Sequence, residues 1–138
     1  MCANINQMKE IAHINKEAEK LIKKWMPGPL TIILKKKSII SDNMTNNKDT
    51  IALRMATSKE LEQVLIEINT PIFMTSANKS GEKPCTTIEE IKKTFPEIDL
   101  IIEGEIKYGE ASTIVDCSKE KIEVIRNGPI TEEQLREE

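Results

Sequence analysis

Aromatic side chains make up 3% of the 138 residues, one Trp, one Tyr and two Phe, and there is a single histidine, His13. So little aromatic surface argues against a nucleic-acid module built on base stacking. The lone histidine lies outside the motifs described below, so no Ser/His/Asp triad can be argued. Cys2, Cys85 and Cys117 are odd in number, far apart and without CxxC spacing, which excludes a disulfide framework or a zinc site as the reading of choice. Asp116 and Glu103 form no metal-ligand cluster by spacing. No apolar run approaches the length needed to span a bilayer, and Met1 to Asn6 lacks the basic start and apolar stretch of a signal peptide. A cytoplasmic protein without membrane contact is expected. Neither GxxxxGK(S/T) nor GxGxxG occurs, so any nucleotide is held by another route. The excess of 23 acidic over 20 basic residues, a formal charge of −3, gives no global pull toward nucleic acid.

What is present is an ordinary globular composition, 38% hydrophobic and 31% charged, at the size of one domain, here taken as residues 1–138. From Asn15 as N-cap, the residues Ala18, Leu21, Ile22 and Trp25 fall at helical spacing, and Pro27-Gly28-Pro29 ends the helix. Strands are expected at 30–34, 50–54, 72–74, 100–102, 113–115 and 122–125, the last two as a hairpin, with 35–49 a surface loop. Thr57 with Glu60, and Thr86-Thr87 with Glu89-Glu90, fit capping boxes for two more helices, and Thr131 to Gln134 fits a closing turn. The pattern is that of an α/β domain with a mixed sheet.

Polar residues gather where apolar runs end. Ser76, Asn78 and Gly81 follow one run, Ser112 precedes another, and Arg54 and Arg126 each end a strand. A guanidinium offers a planar fork of donors to a carboxylate or phosphate, and hydroxyls and amides complete an anion pocket if the sheet brings these ends to one side. Each residue alone also fits a turn, a solvated strand end or an ion pair. Lys35-Lys36-Lys37 reads as a solvated edge or an RNA-phosphate contact.

Trp25-Met26-Pro27-Gly28-Pro29-Leu30-Thr31, Ser76-Ala77-Asn78-Lys79-Ser80-Gly81, Ser112-Thr113-Ile114-Val115-Asp116 and Ile125-Arg126-Asn127-Gly128 occur in an order and spacing that resemble the YrdC-like L-threonylcarbamoyladenylate synthases. The resemblance implies a twisted mixed β-sheet flanked by helices. It further implies a nucleotidyltransferase that makes threonylcarbamoyl-AMP and pyrophosphate from L-threonine, bicarbonate and ATP with Mg²⁺. The product would pass to the tRNA threonylcarbamoyl-transfer machinery, with tRNA or double-stranded RNA as a further contact. Carried over by position, Arg54, Ser76 and Ser112 would meet threonine, while Asn78, Thr86, Arg126 and Thr50 would line the ATP site. No covalent nucleophile is implied. The PTDTVYGL-like strand and KxR element of that family have no counterpart before Trp25, so an N-terminally incomplete domain with weak activity of its own is expected. Two other readings stay open: a non-catalytic RNA-binding module of the same fold, and the related domain of hydrogenase-maturation carbamoyltransferases.

Overall fold

Two asparagines start the first two helices. The Asn4 side chain accepts from the N–H groups of Asn6 and Gln7 and opens α1 (Ile5–Ile11), which runs directly into the two-residue strand β1 (Ala12–His13). Asn15 accepts from the Ala18 N–H at 2.8 Å to cap α2 (Lys16–Trp25), and its amide donates to the Cys117 carbonyl. Ala18, Leu21 and Ile22 are buried and Trp25 half-buried, as the spacing requires. An N-cap contributes about 1 kcal/mol, and burying one leucine about 1.5–3 kcal/mol. The apolar stripe therefore decides where α2 packs. The Met26–Pro27 bond after it is cis.

The structure, a computed structural model, describes residues 1–106 and 108–137. The chain divides into two compact units, Met1–Ile72 with the residues from Glu110 onward, and Phe73–Gly109. In the first, β2 (Leu30–Lys36) is the central strand. On one side it pairs antiparallel with β3 (Thr50–Leu53), and on the other it pairs parallel with β4 (Thr113–Asp116) and, farther along, antiparallel with β1. β4 pairs antiparallel with β5 (Glu123–Arg126), the expected hairpin. Leu30, Ile32, Leu34, Ile51, Leu53 and Val115 fill one face of this sheet and pack with α1 and α2 in the core. The other face carries Thr31, Ile33, Ala52 and Ile114, and it is only partly covered.

Sequence periodicity missed α1 and β1, and it placed one cap wrongly. Ser58, not Thr57, caps α3 (Lys59–Glu67), through the Leu61 N–H. Of the apolar residues along α3 and its C-terminal end only Leu65 is fully buried, against Ala3 and Ala56, while Val64 and Ile68 stay exposed. Gln7 ties that contact down: its amide donates to the Leu65 carbonyl and its oxygen accepts the Ala3 N–H, both at 2.8 Å. Residues 35 and 36 continue β2, and Asp42–Thr45 forms a 3₁₀ turn, so the expected surface loop 35–49 is shorter.

The second unit departs furthest from expectation. Its helix α4 (Ile88–Thr94) has the Thr87/Glu90 capping box read from the sequence. The apolar runs 72–74 and 100–102 are not strands. Among the described residues Ile72 exchanges backbone hydrogen bonds with Met1 alone, while Phe73 is 63% and Leu100 75% exposed. Strand propensity needs a neighbouring ladder to act on, and these runs have none. The closing helix α5 (Glu132–Arg136), back in the first unit, has its Thr131/Gln134 box in place.

Candidate functional site

Strand direction decides which polar ends meet. Because β3 runs against β2, β4 along it and β5 against β4, the start of β2, the end of β3, the start of β4 and the end of β5 share one edge of the sheet. Those are the positions of Thr31, Arg54, Ser112 and Arg126. Arg54 follows β3 and donates from Nε to the Gly28 carbonyl at 3.2 Å, binding it to the Pro27-Gly28-Pro29 turn.

A bulge settles the face. Ile114 lies opposite Arg126 and Val115 opposite Val124, so one step on β4 meets two on β5 and Ile125 is the extra residue. In a regular ladder Arg126 would stand opposite Thr113, whose hydroxyl is buried on the Ile130 backbone. With the bulge, Arg126 shares a face with Ile114 and hence with Ser112 and Thr31. Its Nε and Nη2 both donate to the Ser112 carbonyl, at 3.0 and 2.8 Å, and Nη2 also reaches the Ser112 hydroxyl at 3.3 Å. The Ser112 and Thr31 hydroxyls are 2.7 Å apart. Ser112 is only 6% exposed.

Gly128 makes room for this arrangement. A Cβ there would lie 2.5 Å from the Ala111 carbonyl oxygen and the Thr113 nitrogen, so the chain after Arg126 passes against the backbone that carries Ser112. Gly28 is equally committed, since a Cβ would strike the Trp25 carbonyl. Neither glycine needs an unusual φ. Close backbone approach is their common reason, and it explains why the Pro-Gly-Pro and Arg-Asn-Gly segments flank the site.

Thr50 is not at this edge. It opens β3 opposite Lys35, so it stands at the other end of the strand from Arg54. His13 also lies at that other end, paired with Lys35, and it is exposed. Lys36 donates to the Ile40 carbonyl and Asp42, and Lys37 to the Lys9 carbonyl, so two of the three consecutive lysines are engaged within the chain.

The remaining sequence-derived residues lie in the second unit. Ser76 is exposed, and its carbonyl accepts the Asn78 N–H. The Asn78 amide donates to the Lys79 carbonyl at 2.9 Å, while its oxygen, shielded from solvent, has no protein donor. Gly81 takes φ 84°, which closes the loop. Thr86 donates from both its N–H and its hydroxyl to Glu90. The backbone N–H groups of Thr86 and Thr87 hold the Glu90 carboxyl below the usual glutamate range.

Known proteins can be set beside this geometry. Residues 1–128 match the model of the Sua5/YciO/YrdC family, described as Telomere recombination. The chain belongs to this family. A Methanocaldococcus jannaschii protein that carries the provisional name threonylcarbamoyl-AMP synthase is 39% identical over 132 residues, 94% of this chain and 61% of that protein. The threonylcarbamoyl-AMP synthase of Pyrococcus abyssi is 34% identical over 137 residues, 96% of this chain and 40% of its own length. The crystal structure of P. abyssi Sua5 complexed with L-threonine superposes with a TM-score of 0.89 at 31% identity, covering 97% of this chain and 40% of that one. The chain thus spans about two fifths to three fifths of the length of these relatives. The open mixed sheet flanked by helices is the fold of the family. Sequence reasoning found Arg54, Ser112 and Arg126 at strand ends; it missed the pairing of Thr31 with Ser112, for which parallel register is the only source.

Proposed function

We propose that this chain is a threonylcarbamoyl-AMP synthase: it takes L-threonine, bicarbonate and ATP and yields threonylcarbamoyl-AMP and pyrophosphate, for transfer to tRNA. The observation that carries the reading is the edge where Arg126 is clamped on Ser112 beside Thr31, with Arg54 ending the adjacent strand, in a chain whose relatives bear that name. Arg54 and Ser112 serve the threonine, and Arg126 serves the nucleotide. Ser76 for threonine, and Asn78 and Thr86 for ATP, rest on their motif positions. Thr50, at the far end of β3, has the least support.

The chemistry suits such residues. The threonine amine condenses with bicarbonate to a carbamate, releasing water. A carbamate oxygen then attacks the α-phosphorus, forming the new P–O bond as the bond to the β-phosphate breaks and pyrophosphate leaves. Fixed cations and hydroxyl donors contribute alignment and charge neutralisation, and no strong base or covalent nucleophile is required. Magnesium is expected with the triphosphate. Among the described residues no group of three or more His, Cys, Asp or Glu can hold a metal ion. An ion accompanying ATP would be held largely by the phosphates and water, which needs no such cluster.

The test is pyrophosphate release and mass-spectrometric detection of threonylcarbamoyl-AMP from ATP, bicarbonate and L-threonine. The expected result is pyrophosphate that depends on threonine. ATP turnover indifferent to threonine, or salt-sensitive RNA binding in its place, would refute the reading.

A further inference from the structure

Ser112 is surrounded by more hydrogen-bonding capacity than a lone serine needs. A serine hydroxyl has one proton and two lone pairs. The Arg126 guanidinium can only donate, so its 3.3 Å contact occupies one Ser112 lone pair. Between the Ser112 and Thr31 oxygens, 2.7 Å apart, lies a single proton. If Thr31 supplies it, both Ser112 lone pairs are filled and the Ser112 proton is left to point at whatever occupies the edge. If Ser112 supplies it, the serine has no proton for a ligand.

We propose that Thr31 is a positioning residue: it donates to Ser112 and, with Arg126, turns the Ser112 hydroxyl into an obligate donor toward the carboxylate of an amino-acid substrate. The inference rests on the reading of Ser112 as a threonine contact given above. Two physical arguments favour this direction of donation. An anion arriving at the edge favours the arrangement in which every donor of the chain points toward it. A hydroxyl oxygen that accepts two hydrogen bonds, one of them from a cation, is also a stronger donor than a free one. Burial adds a constraint, because Ser112 is nearly inaccessible and water has little access to replace a missing partner. Thr31 is well placed for the task. It sits on a central strand whose Leu30 and Ile32 neighbours are fully buried, so its Cα has little freedom to move.

The experiment is titration of the 138-residue chain with L-threonine by calorimetry, comparing Thr31→Val, Thr31→Ser and Ser112→Ala with the unaltered protein. Valine keeps the β-branched shape and removes only the hydroxyl; serine restores it. Thr31→Val is expected to weaken threonine binding about tenfold, with the chain still folded and its thermal midpoint lowered by only a few degrees, and Thr31→Ser to stay within about twofold of the unaltered chain. Where turnover is measured, the KM for threonine rises and that for ATP does not. If Ser112→Ala weakens binding and Thr31→Val does not, the positioning role is wrong while the site stands. Loss in Thr31→Val without recovery in Thr31→Ser places the effect in packing and also overturns the proposal. If Ser112→Ala is silent, or the unaltered chain shows no saturable threonine binding, the reading of the site falls and the inference with it.

Discussion

Gly128 and Cys117 show how much single positions are constrained. Gly128→Ala puts a methyl against the backbone at Ala111 and Thr113, where only main-chain movement can relieve it. A loss of about 1–3 kcal/mol is expected, as for overpacked sites, together with weaker threonine binding because Ser112 lies within the displaced stretch. Denaturant midpoints and calorimetry check both parts. Cys117 is buried, and burial, with Asp116 and Glu17 nearby, pushes its thiol up to about 12. A folded pKa above the unfolded value means that the stabilising contribution is full below about pH 8.5 and is lost as pH rises toward the folded value. Stability should therefore decline in alkali, and Cys117→Ala should flatten that decline. In the folded protein at neutral pH iodoacetamide should label Cys85, which is partly exposed, and spare Cys2 and Cys117. The strand-end arginines and Ser112 were legible from residue type and position. Gly128 was legible as a motif member, but its reason, the approach of two backbones, exists only in three dimensions.

Among the elements, most of those with a local signal were read correctly, the missed α1 and the α3 cap, at Ser58 and not Thr57, being the exceptions. The α2 stripe, the hairpin and the boxes at Thr87 and Thr131 depend on neighbours within a few residues. Runs 72–74 and 100–102 failed because apolar composition marks strand capacity and not a partner. The bulge at Ile125 was illegible for the same reason, since it is a mismatch between two strands and not a property of either. It is nonetheless what turns Arg126 toward Ser112. The α4 cap gives an element-scale prediction. Glu90 is held below the usual glutamate range by the Thr86 and Thr87 N–H groups, so its contribution is present above the ordinary glutamate pKa and disappears as pH falls through the depressed folded value. The Thr86 and Thr87 amide resonances should move together on acidification below the ordinary glutamate range, and Glu90→Gln should abolish that titration. Amides that hold still through that range would count against the cap.

Across the whole molecule, burial is uneven. Every buried apolar side chain among the described residues belongs to the first unit, while Phe73, Met74, Leu100, Ile102 and Ile106 of the second are exposed. Local opening follows the density of buried contacts, so amides of residues 73–109 should exchange with deuterium orders of magnitude faster than those of β2. Comparable protection in both would contradict this distribution of stability. Among the described residues no helix is long and apolar enough to cross a membrane. The mixed α/β class could be read from alternating helix and strand signals, whereas the order of strands, which makes one edge a site, could not. Chemical-shift mapping of the ¹⁵N-labelled chain with L-threonine and ATP decides whether that edge is the binding site. Saturable shifts are expected at Thr31, Arg54, Ser112 and Arg126, with His13 and Asp116 at the opposite end of the sheet unmoved; shifts centred on those two, with the arginine edge silent, would put the site elsewhere.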